Sequence, residues 1–118
     1  MDSVTKSLTQ ITNEVAGVLG VALVDHESGM CLGAMGTGIN LEVAAAGNME
    51  VVRAKMRVMK DLGIKGDIED MLITLSSQYH IIRPVSPALF LYLAIDRKQG
   101  NLAMARHKMA SIGAEVVI

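Results

Sequence analysis

The chain has 118 residues, of which 51% are hydrophobic, 19% charged and 3% aromatic, and its formal net charge is −1. We expect a single domain over residues 1–118, because this length supports one hydrophobic core but not two. The near-neutral charge and the few aromatic residues argue against nucleic-acid binding, and no apolar run is long enough for membrane insertion. The large apolar fraction instead predicts burial against protein, for which self-association is the simplest route.

The first third of the chain predicts a helix followed by a β-hairpin. Apolar residues recur at helical spacing as far as Val15, either Asp2 or Ser3 provides the N-cap, and Gly17 ends the helix. The run GVLGVALVD has a β-branched bias, and the polar turn 26–29 separates it from a second strand-like run, MCLGAMG. These features predict the order α-β-β.

Residues Leu41 to Leu62 predict the longest helix, because the segment lacks proline and is rich in Ala, Met, Val, Lys and Arg. Its polar residues gather on an arc of roughly 100°, which leaves on the order of 200° of mostly apolar surface, about twice what packing on one sheet requires. We expect one apolar stripe to face the chain's own sheet and the other to face a second copy. The methionine stripe consists of Met49, Val52, Met56 and Met59, and the valine stripe consists of Val51, Ala54, Val58 and Leu62. The sequence leaves open which of the two faces the sheet.

The segment after the long helix predicts three strands. The first covers Ile68 to Ser76, with Met71, Ile73 and Leu75 on one face, and the second covers Tyr79 to Val85. The third, in ALFLYLAID, is a nearly continuous apolar run, which is typical of a central strand buried on both faces.

The last helix is predicted to begin after the N-cap Asn101 and to end near Gly113. Its buried stripe consists of Leu102, Ala105, Met109 and Ile112. Residues 114–118 either prolong this helix or form a short apolar tail. The complete order is α-β-β-α-β-β-β-α, which predicts an α+β fold built on a five-stranded, mostly antiparallel sheet.

No segment of the sequence combines its residues into a catalytic, cofactor or metal site. In QYHIIRP the period of a strand places Tyr79 and Arg83 on one face and His80 on the other, so the three side chains do not converge. The glycines of GAMGTG lack the spacing and the lysine of a phosphate-binding loop, and DHESGMCLGAMG lacks the glycine and final glutamate of a calcium loop. The three histidines are scattered, and the single cysteine cannot build a cysteine-based zinc site. We therefore predict no enzyme activity, no cofactor and no metal.

The strongest charge feature is a basic run in and after the long helix, formed by Arg53, Lys55, Arg57, Lys60 and Lys65. This run is either a solvated helix face, favoured by the dipole at the helix C-terminus, or a surface that docks an acidic partner. Under the second interpretation, the partner-binding residues are Arg53, Arg57 and Lys60.

Two passages carry a resemblance to a known family. They are VLGVALVDHESG, with its hairpin turn, and QYHIIRPVSPALFLYLAIDRKQGNLAMARHKM, which includes the segments 95–97 and 101–106. Together with the long Ala- and Met-rich helix, they resemble the Roadblock family, the dynein light-chain type, in its stand-alone bacterial form. The resemblance covers essentially the whole chain.

This resemblance implies a five-stranded antiparallel sheet with the long helix on one face and the first and last helices on the other. It also implies a homodimer in which the third strand, with Met71, Ile73 and Leu75, pairs with its counterpart while the two long helices pack together. Members of the family are non-enzymatic platforms that bind Ras-like small GTPases or act as adaptors in signalling and motility assemblies. No residue stands out as an arginine finger.

A second interpretation also stands beside the homodimeric platform. The nine methionines could line an adaptable pocket between helix and sheet, which would make the chain a small-ligand-sensing module. Under either interpretation the expected location is the cytoplasm, because the N-terminus lacks the basic and apolar regions of a secretory signal.

Overall fold

The computed structural model describes residues 2–116, and its elements follow the predicted order. The helices are Ser3–Glu14 (α1), Leu41–Asp61 (α2) and Leu102–Gly113 (α3), and the strands are Val18–Asp25 (β1), Cys31–Met35 (β2), Met71–Thr74 (β3), Gln78–Ser86 (β4) and Leu89–Asp96 (β5). The strands form one antiparallel sheet in the order β2-β1-β5-β4-β3. The end of the predicted C-terminal tail, residues 117–118, lies outside the described residues.

Each of the three helices begins at a polar side chain that caps it. Asp2, Asn40 and Asn101 each accept a hydrogen bond from the backbone N–H three residues further on, at 2.7, 3.1 and 3.0 Å. Such a bond satisfies one of the N–H groups that a helix start leaves unpaired. The caps of α1 and α3 confirm the predicted starts of these helices.

β5 is the central strand of the sheet, as its continuous apolar run predicts. Side chains such as Leu91 and Leu93 pack toward α1 and α3, whereas Phe90 and Tyr92 pack toward α2. The sheet therefore separates two hydrophobic layers, one under α1 and α3 and the other under α2.

The layer under α1 and α3 uses the predicted apolar stripes of both helices. Ala105, Met109 and Ile112 of α3 are buried, and Leu102 is half-buried against the same cluster. On the α1 side, a side chain at Gly33 would bring its Cβ within 2.8 Å of Val4, so glycine allows α1 to lie close to β2.

The third strand is shorter than predicted, because β3 covers only Met71–Thr74 rather than residues 68–76. At its start the two carboxylate oxygens of Asp70 accept bonds of 2.7 and 3.0 Å from the guanidinium of Arg106, which holds the preceding chain toward α3. At its end the N–H of Leu75 donates to the carbonyl of Gln78 at 2.9 Å and closes the turn into β4. Leu75 therefore lies in a turn and is 41% exposed, so its predicted place on a strand face is wrong.

Candidate functional site

The two apolar stripes of α2 have different environments, which answers the question that the sequence left open. In the methionine stripe, Val52 is 2% exposed and Met49 packs half-buried against the same layer as Phe90 and Tyr92. Met59 is also half-buried, whereas Met56 is 48% exposed. The methionine stripe therefore faces the chain's own sheet through its first half, and its second half lifts away from it.

The valine stripe is open to solvent. Val51 is 38% exposed, Val58 44% and Leu62 66%, while Ala54 between them is half-buried. Soluble proteins rarely leave a continuous apolar row of this kind uncovered unless it contacts another molecule.

The exposed row extends further toward the start of α2 than the sequence predicted. Val43 is 67% exposed, and a Cβ added at Gly47 would have no atom within 4 Å. Val43 lies about two helical turns before Val51, and Gly47 lies about one turn before it, on the same side of the helix. The four-residue spacing of Val43, Gly47 and Val51 could have indicated this extension. It was missed because Gly47 has no side chain and therefore interrupts the apolar pattern.

β3 forms one border of the sheet and offers an unpaired edge next to α2. Its only strand neighbour within the described residues is β4. The side chain of Met71 in β3 packs against the same layer as Val52 of α2, so it points to the face of the sheet that α2 covers. An unpaired edge exposes backbone N–H and C=O groups that another strand can pair with. Ile73 is half-buried beside this edge, and Leu72 is 40% exposed.

The three predicted partner-binding residues are all exposed on α2. The guanidinium of Arg53 donates a hydrogen bond to the backbone carbonyl of Glu27 in the β1–β2 turn, so this residue is tied to the fold. The side chains of Arg57 and Lys60 form no ion pair or hydrogen bond within residues 2–116. Two cations of the predicted three are therefore unpaired within this range.

The tyrosine, histidine and arginine of QYHIIRP are split as predicted. Tyr79 packs against the α1 and α3 layer, with the guanidinium of Arg97 5.0 Å from its ring centroid, while His80 lies edge-on against Tyr92 in the α2 layer. By its pairing with Leu91, Arg83 belongs to the same face as Tyr79.

His80 and Tyr92 form a short chain of hydrogen bonds with Gln78. The imidazole Nε2 lies 2.7 Å from the side-chain oxygen of Gln78, so this nitrogen carries the hydrogen, and Nδ1 accepts from the hydroxyl of Tyr92 at 3.1 Å. Burial lowers the pKa of His80. Burial also raises the pKa of Tyr92 to about 12, although a hydrogen bond with Asn48 opposes it. Both groups are therefore neutral at pH 7, which suits packing under α2.

The other segments that resembled chemical sites have structural explanations. A side chain at Gly36, where φ is +105°, would place its Cβ 2.6 Å from the carbonyl oxygen of Leu19, so this glycine permits close packing of the chain. Burial raises the pKa of the Cys31 thiol, which makes it a poor nucleophile. Among residues 2–116, no cluster of three or more His, Cys, Asp or Glu side chains could hold a metal ion. The described helices include none with the length and apolar character needed to span a bilayer.

Comparison with known proteins gives matches in structure but not in sequence. No family model matches the chain, and no curated protein matches it. A Roadblock/LC7 domain from Streptomyces avermitilis has a TM-score of 0.83 at 15% identity, over 94% of this chain and 92% of that one. MglB from Myxococcus xanthus has a TM-score of 0.84 at 16% identity, over 96% and 84% of the two chains. A structure of MglB with a tetrameric arrangement has a TM-score of 0.75 at 17% identity, over 97% and 90%.

The chain therefore has the Roadblock/LC7 fold, with α2 on one face of the sheet and α1 and α3 on the other. The structural neighbours confirm the resemblance drawn from the sequence at the level of the fold. Because one fold hosts many functions, the function has to be argued from the exposed surface of α2 and the edge of β3.

Proposed function

We propose that this chain is a non-catalytic homodimeric module that serves as a regulatory platform for a protein partner. The observation that carries the proposal is the exposed valine stripe of α2. This helix covers the face of the sheet to which Met71 points, and Met71 belongs to the edge strand β3. A single contact along both features would bury the apolar row and would pair the unpaired backbone groups.

A second copy of the chain is the occupant that satisfies both features together. Two copies related by a two-fold axis beside β3 would join their sheets through the two β3 edges and would bring their α2 helices side by side. The strand contributes four residues, Met71–Thr74, so the helices have to supply most of the buried apolar surface. Self-association within this fold has support from the tetrameric arrangement of the neighbour MglB.

The proposed two-fold contact would use only part of the predicted interface, and Met56 and Met59, in the second half of the methionine stripe, would lie outside it. Val51, Ala54 and Val58 face the second copy, whereas Met49 and Val52 serve the chain's own core. Within β3, Met71 and Ile73 support the edge from the α2 side. Leu75, in the turn beyond the strand, lies at the margin of the contact.

The partner class that we propose is a Ras-like small GTPase, with an adaptor protein as the broader possibility. This class follows from the resemblance to Roadblock proteins, and the free cations Arg57 and Lys60 on α2 would meet an acidic surface of such a partner. The module would act in the cytoplasm and would contribute no catalytic side chain of its own. Arg53 would take part less, because its guanidinium already binds the carbonyl of Glu27.

The test of this function is a binding titration with the purified Ras-like GTPases of the source organism, each loaded with GDP and with a non-hydrolysable GTP analogue. The proposal predicts saturable binding that depends on the bound nucleotide and that weakens as salt is added, because rim charges steer the association. If none of these GTPases binds the native protein in either nucleotide state, the proposed partner class is wrong.

A further inference from the structure

A groove lies beneath the second half of α2, on the side of the helix opposite the valine stripe. It encloses about 540 Å³ and extends to the β4–β5 hairpin, while the connection from α2 to β3 forms one of its walls. Its apolar lining includes Val52, Met56, Met59, Ile64, Ile68 and Phe90. This volume falls within the roughly 300–1,000 Å³ of small-molecule sites, and mostly apolar walls are typical of them.

The groove stays open when a second copy covers the valine stripe. Met56 lines the groove, and Val58, two residues further on, points about 160° away from it around the helix. We therefore expect the groove to remain accessible in the proposed dimer.

His26 lines this groove, and one nitrogen of its ring has no hydrogen-bond partner within residues 2–116. The ring of His26 lies edge-on to Phe90, with centroids 6.2 Å apart. Its Nε2 is buried without a hydrogen bond among the described residues. A buried polar group left unpaired costs about 1–3 kcal/mol, so a turn of the ring that brings Nε2 to an acceptor on a ligand in the groove would recover this cost.

The charges at the groove favour one kind of head group. Lys60 lines the groove one helical turn beyond Met56, and its ammonium has no ion-pair partner within residues 2–116. Asp67 also lines the groove and is likewise unpaired within that range, so the two charges offset each other and do not recover the high desolvation cost of a doubly charged anion such as phosphate. A single carboxylate costs less to desolvate and can pair with the lysine.

We propose that this groove binds a small amphipathic monocarboxylate. The hydrocarbon body lies against Met56, Met59 and Phe90, whose thioether and aromatic surfaces adapt to a flexible chain. The carboxylate accepts a hydrogen bond from Nε2 of His26 after the ring turns toward the groove, and it pairs with the ammonium of Lys60. The protein would thus combine a ligand site with the valine stripe on the other side of the same helix, and Lys60 would border both the ligand site and the proposed partner surface.

The probe for this site is dodecanoate, titrated below its micelle concentration into the full-length protein and followed by calorimetry and by melting temperature. The variant Met56→Trp fills the groove with a bulkier side chain at a position that is 48% exposed. Met104→Trp is its matched control, because Met104 is 47% exposed on α3, across the sheet. His26→Phe keeps a ring beside Phe90 and removes the nitrogen.

We expect saturable binding of one dodecanoate per chain, lost in Met56→Trp and unchanged in Met104→Trp. We expect His26→Phe to weaken binding by about tenfold, the effect of one hydrogen bond to a charged group. Dodecanol, which has no charge for Lys60, should bind less tightly than dodecanoate. The proposal is overturned if dodecanoate does not saturate the native protein, or if Met56→Trp and His26→Phe both bind it as the native protein does.

Discussion

Replacing Val58 by aspartate should separate the two copies of the proposed dimer while each chain stays folded. Val58 is 44% exposed in the single chain, so a carboxylate at this position remains in water as long as no second copy is present. Valine and aspartate also have similar helix propensities, and the substitution therefore costs an isolated chain little.

The cost appears when two copies meet. Full burial of a valine contributes at least about 1.5 kcal/mol, so covering the exposed part of Val58 contributes roughly 0.7 kcal/mol in each copy. An unpaired carboxylate in the same contact adds a desolvation penalty of several kcal/mol. Because the two-fold axis repeats the change, we expect the dissociation constant to rise by at least about a thousandfold, which corresponds to about 4 kcal/mol.

The assay is the mass in solution by light scattering, combined with circular dichroism to show that each variant is folded. Two matched variants on α2 complete the series. Met56→Asp has nearly the same starting exposure, 48%, but lies on the groove side and should remain dimeric. Val52→Asp places a charge at a position that is 2% exposed in the core and should unfold the chain. A native dimer that Met56→Asp breaks and Val58→Asp preserves would refute the assignment of the two stripes.

Three further variants test other parts of the account. Tyr92→Phe removes the hydroxyl that donates to His80 and should lower the free energy of unfolding by about 1 kcal/mol in urea titrations. Since burial lowers the pKa of His80, the unfolded chain binds its proton at higher pH than the folded chain, and stability should fall as the pH drops below the ordinary value of 6.5. His80→Leu should make this pH dependence shallower when unfolding is followed between about pH 7 and 5. The double variant Arg57→Glu with Lys60→Glu should keep the native mass and weaken GTPase binding by at least about tenfold, and unchanged binding would remove these residues from the partner surface.

The sheet and its helices were predictable because their signals are local. The cap at Asn101, the continuous run in β5 and the helical spacing of α1 each depend on neighbours within about one element. Tyr79 and His80 point to opposite faces because successive side chains of any strand do so. For such features the sequence pattern and the tertiary packing agree.

The length of β3 was not predictable in the same way. The alternation of residues 68–76 is compatible with a full strand, and Asp70 alone does not end one. At its start the strand is limited by the contact between Asp70 and Arg106, which are 36 positions apart in the chain. No local pattern contains this information, although the acidic residues before Met71 were an indication that the edge is limited.

The candidate surfaces were predictable only in part, because they also depend on tertiary contacts. Two apolar stripes could be read from α2, but Val51 and Val52 are chemically identical, and only their position relative to Phe90 and Tyr92 makes one exposed and the other buried. The groove depends even more on tertiary structure, since His26 and Met56 come from separate elements that meet only after the chain folds.

The proposed dimer is tested most simply by the mass of the native protein in solution, measured by light scattering over a dilution series in the micromolar range. A homodimer has a mass of twice 12.6 kDa, the mass of one chain, and should dissociate only on dilution. A mass of 12.6 kDa at every concentration would contradict it, because the valine stripe and the β3 edge would then remain uncovered in the functional protein.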